Sequence, residues 1–171
     1  RVKLLQAGEI IAGDGYVIEE HEQVCPEISY VVSGHCDFYE DGKVFHAAQG
    51  DLHVVGQGVR HMIVAGEQDN LRMAYIAFRL RPCPGWEALE AFYRNPPREL
   101  RNDLHFSRLL FEQLLYEIYA ARPCAQEAMD SWINQILIHV YRVFQCRDEG
   151  ESRRIVEEAR LERIMGHTIL K

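Results

Sequence analysis

The chain has 171 residues, enough for one domain or one domain with an appendage. Its 47% apolar and 26% charged residues exclude wholesale disorder, and a net charge of −7 argues against a surface built to grip phosphates. No run of about 18 apolar residues could span a membrane, and no charged-then-apolar leader is visible, so the expected compartment is the cytoplasm.

Ten of the 12 glycines lie between Gly8 and Gly85, and none between Trp86 and Glu149. Glycine punctuates turns and weakens helix interiors, so a strand-rich half should precede a helical one. Residues 28–33 are β-branched and aromatic and end at Gly34. Residues 36–40 and 43–47 flank Asp41-Gly42, a strong two-residue hairpin signal. Residues 52–55 follow the Gln49-Gly50 turn, and residues 61–65 and 71–78 complete the series, closed by Pro82 and Pro84. Short strands at this spacing predict an all-β sandwich or barrel.

The helical half begins with a short helix over residues 86–93, stopped by Pro96-Pro97. A longer one covers residues 104–121, with Asp103 or Asn102 as its N-cap and Arg122-Pro123 as its stop. A third covers residues 125–146. There Met129, Ile133, Ile136, Val140 and Val143 step 4-3-4-3, which reads as a dimerisation seam. A last charged helix is expected over residues 152–165. The boundaries are therefore 1–84 for a barrel, 85–150 for a helical dimerisation region and 151–171 for a linker.

Five cysteines (Cys25, Cys36, Cys83, Cys124, Cys146) are odd in number, and no two stand two residues apart. They fit reduced, buried thiols better than a zinc ribbon or redox pair. Nucleophile-elbow, phosphate-loop and zinc-protease motifs are missing from the sequence.

Two stretches carry more information: His21-Glu22-Gln23-Val24-Cys25-Pro26-Glu27, and Gly50-Asp51 followed by Gly56, Gly58 and His61. Together they resemble the two motifs of the cupin superfamily, with Gln23 where a second ligand histidine would stand and Gly56 where proline is usual. The order of elements across nearly the whole chain resembles the N-terminal regulatory half of an AraC-type transcription activator. The tail from Ile155 to His167 resembles the opening of that family's helix-turn-helix domain. The chain starts at Arg1 and is read as part of a longer protein, with DNA contacted only through a domain beyond Lys171.

The resemblance implies a cupin-like (double-stranded β-helix or jelly-roll) barrel followed by α-helices. It also implies a small-molecule effector, sugar-like or another polar metabolite, and a homodimer without enzymatic activity. Its ligand residues are expected to be His21, Gln23, Glu27, His61, Met73 and Tyr75. His21, Glu27 and His61 also make a chemically sensible set for a divalent metal, although no cofactor is required. The alternative is a small metal-dependent oxygenase or isomerase. Strand alternation places Glu27, Ser29 and Val31 on one face and Ile28, Tyr30 and Val32 on the other. If His61 points inward, so do Ile63 and Ala65. His53 is a further candidate to face inward. His35 and His46, on strands or turns, are read as exposed or core-satisfied imidazoles, and His105, His139 and His167 as surface or interface groups.

Overall fold

The computed structural model describes residues 2–67 and 70–146. The helix expected over residues 152–165, the linker and His167 lie outside the described residues. Eight strands come first: β1 (Val2–Ala12), β2 (Val17–Glu22), β3 (Glu27–Ser33), β4 (His35–Glu40), β5 (Lys43–Ala48), β6 (Asp51–Val55), β7 (Arg60–Ala65) and β8 (Leu71–Leu80). Then follow α1 (Glu87–Arg94), a two-residue strand β9 (Arg101–Asn102), α2 (Phe106–Ala120) and α3 (Ala125–Gln145). One antiparallel sheet has the order β1-β8-β3-β6-β9 and the other β2-β7-β4-β5. This is the cupin-like fold, a β-barrel followed by helices. β1, β2 and β9 are strands that the sequence pattern did not announce, and β9 returns the helical half to the edge of the first sheet.

The turns follow from backbone chemistry. Asp41 and Gly42 both have positive φ, 46° and 79°, as a type I′ hairpin turn demands. At Gly34, with φ 76°, an added Cβ would lie 2.7 Å from the Asn70 carbonyl oxygen, so only glycine lets the β3–β4 turn pass this close to the start of β8.

The barrel interior is built in layers set by strand register. In one layer Ile10 and Val31 flank Met73, while Ile18 and Phe38 flank Ile63 on the other sheet. These side chains, with Cys36, Ala65 and Leu71, form a dry apolar cluster. The alternate residues of β3 and β8, Ile28, Tyr30, Ala74, Ile76 and Phe78, face the other way, into a second core shared with the helices.

That second core corrects the expected dimer seam. Ile133, Ile136 and Val140 are at most 1% exposed and belong to the chain's own core, with Met129 and Val143 packed against it. The 4-3-4-3 apolar spacing of α3 is spent on α1, α2 and the sheet, so these five residues are not a free dimer surface. Tyr93, fully buried on α1, donates its hydroxyl to the Leu137 carbonyl of α3 at 2.8 Å, which satisfies the one polar atom it brings inside.

The N-cap position of α2 is His105, which makes no side-chain cap hydrogen bond, so the cap expected at Asp103 or Asn102 is not formed; what reaches the first turn is the carboxylate of Asp103. Its Oδ2 accepts from the Ser107 amide (2.9 Å) and hydroxyl (2.8 Å), and from His139 Nε2 of α3 at 2.6 Å. Burial alone would raise its pKa, but the bonds from His139 and Ser107 outweigh burial and hold the carboxyl far below the usual carboxylate range. A depressed carboxyl stabilises the fold above its unfolded pKa near 3.8, and that contribution is lost as pH falls through the folded value.

Two outcomes follow. Asp103→Asn should lose about 1–3 kcal/mol at pH 7 in urea titration and show a flatter decline below pH 4 than the wild type. Ile136→Ala should cost about 2–5 kcal/mol and leave the oligomeric state, read by sedimentation, unchanged.

Candidate functional site

Directly beside the apolar layer lies a polar one. On the first sheet Gly8, Tyr75, Ser29 and His53 occupy successive cross-strand positions. On the second sheet His21, His61 and Glu40 do the same. The two rows meet where His53 Nε2 comes within 3.3 Å of Glu40 Oε2. Ser29, Glu40, His53 and His61 are all buried.

His21 reaches this layer through a β-bulge. The register of β2 against β7 shifts between Ile18 and His21. Simple alternation from inward-facing Ile18 would turn Glu20 inward and His21 out; the bulge reverses this. Glu20 instead pairs outside with Arg60 at 2.6 Å. His21 is exposed and stands over buried His61, ring centroids 4.3 Å apart and tilted by 57°.

Tyr75 lies along β1. A Cβ at Gly8 would come within 3.3 Å of its hydroxyl, so the missing side chain makes room for the ring. Gln6 Nε2 donates to that hydroxyl at 3.1 Å. Glu27, which pairs with Ala77 two residues beyond Tyr75 on β8, accepts from Gln23 Nε2 at 3.1 Å and from Ser29 Oγ at 3.4 Å. Burial raises the Glu27 pKa; the charge of His21 and the bonds from Gln23 and Ser29 pull the other way without cancelling the rise. Burial lowers His61 to about 4, with like-charge repulsion from His21 and His53 adding to it.

The structure thus gathers His21, Gln23, Glu27, His61 and Tyr75 at one end of the barrel. Met73 is fully buried in the apolar layer, not among the polar groups. His53 joins the site. So does Glu40, which the sequence reading passed over although it shares strand parity with inward-facing Phe38.

Two members of the expected metal set of His21, Glu27 and His61 make hydrogen bonds of their own. Gln23, where a ligand histidine would stand, donates to Glu27 Oε2, and Ser29 engages Oε1. His21 Nδ1 is tied to the Glu19 carbonyl at 2.9 Å. Among the described residues no three His, Cys, Asp or Glu side chains are arranged to hold a metal ion.

The cupin domain family model matches residues 5–77, the span of β1 to β8. No curated protein matches the chain. Among solved structures, KdgF from Halomonas sp. is 24% identical, over 46% of this chain and 78% of that one, with a TM-score of 0.39. A predicted oxalate decarboxylase from Thermotoga maritima is 22% identical, over 46% and 69% of the two chains, with a TM-score of 0.44.

The His61 shift has a measurable consequence. A histidine whose folded pKa is depressed stabilises the fold above its unfolded pKa of 6.5, and that stability drains away as pH falls toward about 4. At pH 5 the loss relative to pH 7.5 should approach about 2 kcal/mol in urea titration, and His61→Phe should remove most of it.

Proposed function

We propose that this chain is the effector-sensing part of an AraC-type transcription regulator, a binding module with no catalytic activity. A small polar molecule enters the barrel mouth and contacts His21, Gln23, Glu27, His61 and Tyr75. The protein acts in the cytoplasm as a homodimer, and DNA is contacted by a helix-turn-helix unit beyond residue 171.

The observation that carries this reading is the sharing of β3 and β8 between two cores. Ser29 and Tyr75 face the polar layer, while their immediate neighbours Ile28, Tyr30, Ala74 and Ile76 pack under the helices. A ligand that binds one strand arrangement more tightly than another therefore acts directly on the helix platform. It can shift that equilibrium only by its differential affinity for the two states.

With the α3 seam buried, the dimer surface proposed is the outer face of α2. Leu109 and Tyr116 stand seven residues apart there and are about half exposed, beside Phe106 and Tyr119. One helical face carrying four large exposed apolar side chains is the kind of patch that marks an interaction site.

A thermal-shift screen of polar metabolites against the chain should yield a compound that raises Tm. His61→Ala and Tyr75→Ala should each weaken that compound by roughly 5–150-fold, the cost of one lost buried hydrogen-bond partner. Hits that bind both variants as well as the wild type would move the site out of the barrel. Leu109→Asp combined with Tyr116→Asp should give monomers with unchanged circular dichroism; persistent dimers would rule out the α2 face.

A further inference from the structure

Between α1 and α2 the chain runs back along the edge of the first sheet as a strap. At its start Pro96 lies against the end of β6, where a Cβ on Gly56 would come within 3.1 Å of the proline Cδ. At its end Arg101 and Asn102, as β9, pair with Leu52 and Asp51 of β6, and the Asp103 amide donates to the Gly50 carbonyl at 2.9 Å. Between these anchors two side chains leave the first sheet. Leu100, partly buried, packs against the apolar cluster inside the barrel. Arg98 crosses to the second sheet. Its Nε stands 3.3 Å from Glu40 Oε1, at the end of β4, and its Nη2 donates to Asp41 Oδ2 in the hairpin turn at 2.6 Å. But for β9, β6 would border the first sheet, and β5 borders the second, so the strap spans the seam between them.

We propose that residues 96–102 are a hinged gate over this seam and that Arg98, held by Glu40 and Asp41, is its latch; the gate rests on the effector reading above for its ligand, and adds to it a route into the barrel and a link to α2. The strap is lightly held along its length. Pro96 and Pro97 have no N–H to donate, and β9 is a ladder of two residues. Segments with few backbone hydrogen bonds and exposed side chains open at a fraction of the global unfolding free energy. The Arg98 side chain is 41% exposed and that of Glu40 only 3%. The guanidinium can therefore move into water, whereas the carboxylate it leaves stays buried, which makes the closed state the stable one. Glu40 also presents Oε2 to His53 Nε2 at 3.3 Å, so latch and polar layer share one carboxylate. Lifting the strap draws Leu100 off the interior cluster and opens that cluster to small molecules. The fixed ends are Asn95, bonded to the Ala91 and Phe92 carbonyls of α1, and Asp103, bonded to Ser107 and His139. Motion of the gate is thereby delivered to the first turn of α2, whose outer face carries the proposed dimer surface.

The test is hydrogen–deuterium exchange of the chain at neutral pH, read by mass spectrometry for peptides covering the strap and, separately, β3 and β8. Alkylation of Cys36 by iodoacetamide is the second readout, because Cys36 is buried in the interior cluster against which Leu100 packs. Arg98→Gln should exchange the strap at least about tenfold faster, leave β3 and β8 at wild-type rates, and speed Cys36 alkylation by a similar factor. Glu40→Gln should do the same, and the double variant should be no faster than the faster single one, because both remove one contact; if Glu40→Gln does not fold, Asp41→Asn takes its place. Arg98→Lys, which keeps the charge but not the two-point hold, should fall between wild type and Arg98→Gln. Unchanged strap exchange in Arg98→Gln overturns the latch, and so do single effects that multiply in the double variant. Strap exchange that rises only together with β3 and β8 is global unfolding and overturns the gate. Faster strap exchange with Cys36 alkylated at the wild-type rate overturns it as well, since the interior then stays closed. No effector enters this experiment, so its failure leaves effector binding to the metabolite screen, and a screen without hits leaves the strap result standing.

Discussion

Two central strands of this protein have no solvent face. On β3, Ile28, Ser29, Tyr30 and Val31 are all essentially inaccessible, and on β8 so are Met73, Ala74 and Ile76. Side chains alternate at every residue, so a one-residue slip of either strand would exchange the contents of the two cores. Met73 and Val31 would leave the barrel, and Ile28 and Ile76 would enter it. The register is therefore fixed from both sides at once. That fixed register is what lines up Ser29 with Tyr75 and His53, and opposite them His21 with His61 and Glu40.

Much of this was legible in the sequence because it depends on local chemistry. The Asp41-Gly42 hairpin, the β3 parity and the inward turn of His61 with Ile63 and Ala65 each rest on residues close together in the chain. What was not legible depends on partners distant in sequence. β1 lacks clean alternation, and its register shifts between Leu4 and Gln6, so its strand character comes from pairing with β8 along nearly its whole length. The inward aim of His21 is the work of a bulge opposite β7 that no local pattern announces. Glu40 looks like an ordinary hairpin charge until His53, thirteen residues on, is folded across from it.

The α3 seam shows the limit of periodicity in another way. A heptad-like row reports that one helical face is apolar; it does not report what covers that face. Here the cover is internal: α1 reaches α3 through Tyr93, α2 runs beside it, and His139 ties it to the N-terminus of α2. The exposed apolar face of the helical region lies instead on α2, whose inner residues Leu110, Phe111, Leu114 and Leu115 are spent on the core while Leu109 and Tyr116 are not.

The polar layer sits where burying it is least costly. It adjoins the mouth, where exposed His21 meets water, and not the far end closed by Leu71, Cys36 and Ala47. Even so, Glu40, His53 and His61 hold buried atoms without hydrogen bonds, each a cost of about 1–3 kcal/mol that an apolar filling would avoid. Interior Met73, Phe38 and Ile63, one layer away, show that this barrel can be packed with apolar side chains. A fold selected for stability alone would extend that packing to the mouth. Local departures from good packing in an otherwise consistent structure are expected where function requires them. The unsatisfied buried atoms of Glu40, His53 and His61, on β4, β6 and β7, are such a departure.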